Sequence, residues 1–278
     1  MAGRLVLCAT PIGNLSDASP RLADALGSAD LILAEDTRRS ATLLRSLGVD
    51  KPLRSYFAGN ENRRAVELVG LLKEGKNVVL ITDAGTPAIS DPGVSAVSAA
   101  REAGAAITVV PGPSAVTAAL SVSGLPSERF VFEGFLPKKG PERDRRLESL
   151  ATETRTAVLF VAPHQLIDDL TGLASVAPDR PLCIARELTK MFEEIQWSTP
   201  AAAADLWAGR ERLGEFTLVL GGADPIEPDL EASVVAVLAE IDAGAPMSDA
   251  VRTVASRLGV SRRTLYEEVL FRTRETSL

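Results

Sequence analysis

Histidine, cysteine and aromatic residues are scarce in this 278-residue sequence, and positive charge is not in excess. A single imidazole, His164, and two cysteines inside apolar runs, Cys8 and Cys183, supply neither a structural zinc site nor a disulfide framework. Both thiols read as small buried apolar side chains. Long hydrophobic runs are missing too. The opening Met1-Ala2-Gly3-Arg4 leads into a short apolar stretch that stops at Pro11, well below the roughly 20 residues that span a bilayer. A cytoplasmic protein with no membrane partner and no bound metal is expected. The formal charge of -7 denies the chain the broad positive field of a non-specific nucleic-acid binder, so any contact with phosphates must be local.

What is present is a compact soluble composition, 46% hydrophobic and 24% charged. Short β-branched runs at Leu5 to Ala9, Leu31 to Ala34, Val78 to Thr82 and Ile107 to Val110 alternate with amphipathic stretches, which predicts an α/β layer structure with a largely parallel sheet. A second series follows, with strands at Thr156 to Val161, Leu182 to Arg186 and Phe216 to Leu220 and helices around Gln165 to Leu173 and Ala201 to Ala208. Turn formers and charge at Gly134 to Pro141 read as a linker or mobile loop. After Pro225, Leu230 to Asp242, Ser248 to Leu258 and Ser261 to Phe271 read as three helices. The expected division is 1–133 and 134–225 for two α/β domains, with 226–278 a helical segment.

Three strand ends open into loops rich in small residues and proline: Thr10 to Asp17, Thr82 to Gly93 and Val110 to Ala115. Ligands in open α/β sheets lie beyond the carboxyl ends of strands, where loops converge and helices offer free N–H groups. Any one of these loops could simply be a turn. Three at neighbouring strand ends point to a ligand site. Pro92 after Asp91, and Pro113 after Gly112, suit the first position of a helix. None of the loops matches the phosphate-cradling or dinucleotide fingerprints, which disfavours nucleoside triphosphates and NAD.

The loop Thr10 to Asp17, the segment Ala34-Glu35-Asp36-Thr37-Arg38, the runs Asp83 to Gly93 and Pro111 to Gly124, and Phe132 to Lys138 together resemble the tetrapyrrole-methylase superfamily, and within it the small-subunit ribosomal RNA enzymes that methylate a cytidine 2'-hydroxyl. The resemblance covers nearly the whole chain. It implies two α/β domains of the tetrapyrrole-methylase type clasping S-adenosylmethionine in a cleft between them, a homodimer, and 16S rRNA of the small ribosomal subunit as partner, on a cytidine of the decoding region. Carried over residue by residue, the cofactor meets Pro11, then Asp83, Gly85, Thr86, Pro87 and Ile89, then Ser114 and Ala115. Phe160 or Val161 at one strand end of the second domain, and Ala185 or Arg186 at the next, would close over its adenine. Val161 and Gln165 replace the Glu and Arg of the family's Glu-Ala-Pro-His-Arg-Leu pattern.

The polar candidates for chemistry are Asn14, Glu35, Asp36 and Lys190. Asp36 or Glu35 reads as a base or ribose-orienting group and Arg38 as a phosphate contact, although Asp36 also suits a helix N-cap. Lys190, near a cationic sulfonium, would lose its proton more readily, or else belongs to a solvated loop. Lys138, Lys139, Arg143, Arg145 and Arg146, with Arg262 and Arg263, are the candidate RNA contacts. His164 reads as a helix-start residue. Ser248 to Tyr266 has the spacing of a helix-turn-helix, which keeps a DNA-binding regulator open as another function class. A tetrapyrrole or protein methylase of the same fold is the alternative within the resemblance.

Overall fold

In the computed structural model, which describes residues 3–224 and 229–275, the four apolar runs of the first half join one further short strand in one parallel sheet. Its elements are β1 (Arg4–Cys8), α1 (Pro20–Gly27), β2 (Leu31–Ala34), α2 (Thr37–Ser46), β3 (Leu53–Ser55), α3 (Glu61–Lys73), β4 (Asn77–Ile81), α4 (Val94–Glu102) and β5 (Ala106–Val110). The strand order is β3-β2-β4-β1-β5. Apolar residues on one face pack with Leu22 and Leu26 of α1 and Leu44 of α2, and those on the other with Leu68 and Leu72 of α3 and Ala96 and Ala100 of α4. Central strands covered on both faces are apolar throughout, which is why β2 and β4 were legible as continuous runs.

Helix α5 (Ala115–Ser123) then carries the chain to a second sheet. That sheet comprises β6 (Phe130–Phe135), β7 (Thr156–Val161), β8 (Leu182–Arg186), β9 (Glu194–Ser198) and β10 (Phe216–Leu220), in the order β6-β7-β10-β8-β9. Strands β6 and β7 are parallel, while β10 runs antiparallel to both β7 and β8. Helices α6 (Pro141–Thr152), α7 (Leu166–Val176) and α8 (Pro200–Ala208) cover one face. Trp207 anchors this core, fully buried, with its ring edge-on to Phe216 at 5.2 Å and its indole N–H donating to Gln196 at 3.1 Å. The opposite face packs on Val116, Ala119 and Leu120 of α5, together with Ile12 from the loop after β1. One helix thus ties the second sheet to the loops of the first.

Gly134 and Phe135, expected at the start of a linker, instead complete β6, whose register shifts between Phe132 and Gly134. The bulge places Gly134 at φ 63°, a conformation glycine adopts without strain, and it conceals the strand's alternation in the sequence. The proline expectations also shift. Helix α4 begins at Val94 with Gly93 as N-cap, and α5 at Ala115 with Ser114 as N-cap, so Pro92 and Pro113 precede their helices.

The chain divides into two compact units, 1–223 and 224–278, and both sheets belong to the first. The expected boundary at 225–226 lies outside the described residues. The second unit contains α9 (Leu230–Asp242), α10 (Met247–Leu258) and α11 (Arg262–Glu275). They share an apolar core of Val234, Val237, Val251, Val254, Leu265 and Val269. Gly259, at φ 70°, ends α10 in the left-handed conformation. No helix among the described residues is long and apolar enough to cross a membrane.

Candidate functional site

Strands β1 and β4 are neighbours whose connections leave in opposite directions, β1 toward β2 and β4 across β1 to β5. Loops that part in this way leave a crevice at the carboxyl end of the sheet. Here it is pinned by a two-way backbone bridge: Thr10 N donates to Gly85 O at 2.9 Å and Gly85 N to Thr10 O at 3.1 Å. Gly85 sits at φ 85°, which a side chain would strain. The second sheet supplies the facing wall. Because β10 is antiparallel to β7 and β8, its first residues meet their last ones, and Phe160 to Pro163, Ala185, and Glu215 to Thr217 all arrive at the same place.

The result is a cavity of about 400 Å³, within the range of small-molecule sites. Ile12, Ile89, Phe135, Phe160, Val161 and Leu188 make its apolar lining. Glu35, Asp83 and Asp91 also line it, as does Arg39, its guanidinium 3.3 Å from Asp83. Asp36 N donates to Asp83 Oδ1 at 2.9 Å, and Asp83 N donates to Glu35 Oε2 at 3.4 Å, which fixes the ends of β2 and β4 to one another. Burial pushes the Asp91 carboxyl up to about 7, reinforced by the charges of Glu35 and Asp83 against a hydrogen bond from Thr82. Burial likewise raises Glu35, and the Asp83 and Asp36 charges add to it, while the Asp83 N–H and Arg39 work the other way. An apolar slot with a carboxylate cluster suits a flat ring joined to a cationic group. It does not suit a polyphosphate.

The loop after β8 closes one side. Glu187 (φ 51°) and Thr189 (φ 66°) both hold the left-handed conformation, a strain that surrounding bonds must offset. Glu187 N donates to Glu215 O at 2.9 Å, and Lys190 Nζ reaches Glu187 Oε1 at 2.7 Å and Glu215 Oε2 at 3.1 Å. The loop lies directly on Gly13, where an added Cβ would collide with the side chains of Lys190 and Thr189. Burial works to lower the Lys190 pKa, but the hydrogen bond to Glu187 and the charge of Glu215 outweigh it and hold the amine protonated. The expectation of an easily deprotonated lysine is thereby reversed.

Of the residues expected to hold a cofactor, Asp83, Gly85, Thr86, Ile89, Ser114, Ala115, Phe160, Val161 and Ala185 line this cavity. Pro11, Pro87 and Arg186 do not; Arg186 is turned to Leu213 O at 2.8 Å and to Glu194 at 3.4 Å. Among the chemical candidates only Glu35 lines it. Asp36 is the N-cap of α2, accepting from Arg38 N and paired with the Arg38 guanidinium, which together hold its carboxyl down to about 2. Asn14 caps a short turn by accepting from Ser16 N at 3.0 Å. Lys138, Lys139 and Arg145 are exposed, as are Arg38 and, on α11, Arg262 and Arg263. Arg143 departs from expectation. It is buried, bonded to Asp169 at 2.6 Å and to the carbonyls of Pro137 and Asp168, and has no face left for a phosphate. Arg146 pairs with Glu133 at 2.6 Å, and His164 is exposed in the turn Pro163–Gln165.

Sequence reasoning missed Arg39, Asp91, Leu188 and Glu215 to Thr217 as cavity residues. Asp91 carried one signal, a carboxylate set between small residues in a loop too rich in proline to be helical. No comparable signal marks Thr217, because the direction of β10 cannot be read from its residues.

Residues 4–204 match the family model described as Tetrapyrrole (Corrin/Porphyrin) Methylases. The chain is 44% identical, over 99% of its own length and 97% of the other's, to "Ribosomal RNA small subunit methyltransferase I" of Mycobacterium tuberculosis (strain CDC 1551 / Oshkosh). It is 39% identical, over 96% of its length and 95% of the other's, to the protein of that name from Escherichia coli O157:H7. Among solved structures it is similar to uroporphyrin-III C-methyl transferase from Thermus thermophilus complexed with S-adenyl homocysteine, with TM-score 0.57 and 18% identity over 79% of this chain and 97% of that one.

Proposed function

We infer the activity from the premise that this chain belongs to the ribosomal RNA small subunit methyltransferase I family of the tetrapyrrole methylases: it is an S-adenosylmethionine-dependent methyltransferase of 16S rRNA, acting on the 2'-hydroxyl of a cytidine in the decoding region. The observation that carries the reading is the cavity wall of Glu35, Asp83 and Asp91 together with Phe160, Val161 and Leu188. That wall suits a donor with both a cationic and an aromatic end. Near-full-length identity to the ribosomal RNA enzymes supports the acceptor.

S-adenosylmethionine supplies a methyl group already activated on a sulfonium. The protein's task is therefore to place the acceptor oxygen in line and ease loss of its proton. Gly85, Thr86, Ile89, Ser114 and Ala115 offer backbone and small side chains to hold the donor, with Pro11 and Pro87 shaping those loops. The apolar residues of the second sheet take its ring. Glu35, whose carboxyl burial raises above its ordinary value and which lines the cavity, orients the ribose hydroxyl and accepts its proton. Asp36 and Asn14 act by fixing the loops that carry Glu35 and Ile12, and Lys190 by holding the loop of Leu188. Arg38, Lys138 and Lys139 meet phosphates and position the RNA without reading it.

We also propose a homodimer in the cytoplasm. Ile107 and Val109 on the uncovered edge strand β5, and Trp197, 65% exposed with its indole N–H on Ser123 O, are apolar surface suited to a second copy. The segments 1–133, 134–225 and 226–278 are proposed as two lobes around the donor and a helical appendage.

The test offers labelled donor to purified protein with small ribosomal subunits, naked rRNA and a tetrapyrrole in parallel. Label should enter the subunit RNA as ribose 2'-O-methyl. Label in the tetrapyrrole alone, or duplex DNA affinity without donor binding, would overturn the reading.

A further inference from the structure

A second hollow, of about 600 Å³ and more open than the first, adjoins the donor cavity and shares Glu35, Ser90 and Asp91 with it. Its other walls are Phe57 and Ala58 from the connection between β3 and α3, Glu61 at the start of α3, and Ala88 and Pro92 from the loop after β4. We propose that this hollow receives the base of the target cytidine, with Phe57 as the stacking face and Glu61 as the acceptor for its exocyclic amine. The inference deepens the reading above and rests on it.

Phe57 is a large aromatic side chain left 44% exposed, and its backbone is locked. Phe57 N donates to Asn60 Oδ1 at 2.9 Å, Asn60 N returns a bond to Phe57 O at 2.8 Å, and Asn60 Nδ2 donates to Ser55 O at 3.2 Å. A Cβ on Gly59 would come within 2.7 Å of the Phe57 ring, so glycine lets the ring lie against its own chain. A fixed, half-exposed ring beside a polar hollow suits an unstacked base.

Glu61 lines the same hollow. Its Oε1 accepts from Gly93 N at 2.9 Å, and among the described residues no donor reaches its Oε2. Ala88 (φ 70°) and Ser90 (φ 59°) hold strained backbone in the same wall, of the sort that shapes ligand sites. Three carboxylates would repel a phosphate here, yet they match a base whose edge presents an amine. Cytosine carries N4–H₂ where uracil carries an acceptor oxygen. A base seated on Phe57 leaves its ribose at the shared wall, beside Glu35 and facing the donor.

The experiment measures methyl transfer to small subunits carrying either the native cytidine or uridine at the target, for the parent, Phe57→Ala, Phe57→Tyr and Glu61→Gln, with donor binding followed by calorimetry. Phe57→Ala should raise KM for the subunit roughly tenfold or more, as loss of a base–aromatic stack does. Donor affinity should stay within about twofold, and Phe57→Tyr should restore KM. Glu61→Gln keeps an acceptor for Gly93 N but turns an amide donor into the hollow, so the preference for cytidine over uridine should fall at least about tenfold. If Phe57→Ala melts early, Phe57→Leu carries the same expectation. An active parent whose variants keep KM and base preference overturns the subsite alone. A parent inactive on both kinds of subunit overturns the functional reading, and this inference with it.

Discussion

Replacing Asp91 by Asn tests the carboxylate wall without changing its shape. In the parent, burial and the neighbouring charges of Glu35 and Asp83 push the Asp91 carboxyl up to about 7. A cationic donor favours the ionised form, so its binding must draw a proton off Asp91 wherever that group is still protonated. For a single group titrating at about 7, the ionised fraction is about 0.9 at pH 8 and about 0.1 at pH 6, so donor affinity should fall about tenfold between them. At pH 7 binding should release about half a proton, read from calorimetry in buffers of different ionisation enthalpy. Asp91→Asn should bind at least about tenfold more weakly than the parent does at pH 8, with little pH dependence and no proton release from this site. Stability moves with its own sign. A folded pKa raised above the unfolded value of 3.8 means the native state holds the proton more tightly. Asp91 therefore stabilises the fold below about pH 4, and that contribution is lost as pH rises toward 7, by up to about 1.4 kcal/mol per unit. An Asp91→Asn protein with the parent's pH profile and proton release would refute the reasoning.

Four further outcomes are expected. Glu35→Gln should cut the transfer rate about a hundredfold or more while Asp36→Ala stays within a few-fold, since only Glu35 lines the cavity; rates at saturating substrates decide this. Arg143→Ala should cost about 3–5 kcal/mol in denaturant unfolding, because it strands buried Asp169, whereas Lys138→Glu with Lys139→Glu should leave the melt alone, raise KM for subunits and flatten its salt dependence. Gly13→Ala should displace the 187–190 loop and weaken donor binding several-fold, measured by calorimetry, as its Cβ would meet Lys190 and Thr189. Trp197→Glu should shift the protein from dimer to monomer in sedimentation, at a face where a charge meets apolar surface.

Much of the architecture was legible because buried strands are written as unbroken apolar runs. Leu31 to Ala34, Thr156 to Val161, Leu182 to Arg186 and Phe216 to Leu220 form the strands expected of them. The strands that escaped are not written as such runs. β3 is three residues long, β9 is an edge strand whose Glu-Ile-Gln-Trp-Ser alternates polar and apolar residues over only five positions, and β6 is broken by its bulge. At the site, glycine and proline loops marked the crevice, since close backbone approach demands small residues. What stayed hidden depended on strand direction and on partners distant in sequence. The antiparallel course of β10 brings Thr217 to the cavity, and the basic run at Arg143 to Arg146 looked solvated because Asp169 and Glu133, which engage two of its members, lie elsewhere in the chain.

That this cavity directs a methyl group onto a ribose of the small ribosomal subunit can be checked in cells, by mass-spectrometric mapping of 2'-O-methyl groups in small-subunit RNA where the gene is missing, where the parent chain is present, or where Glu35→Gln replaces it. One decoding-region cytidine should be methylated with the parent, unmethylated without the gene and largely unmethylated with the variant. An identical ribose methylation pattern in all three would contradict the account.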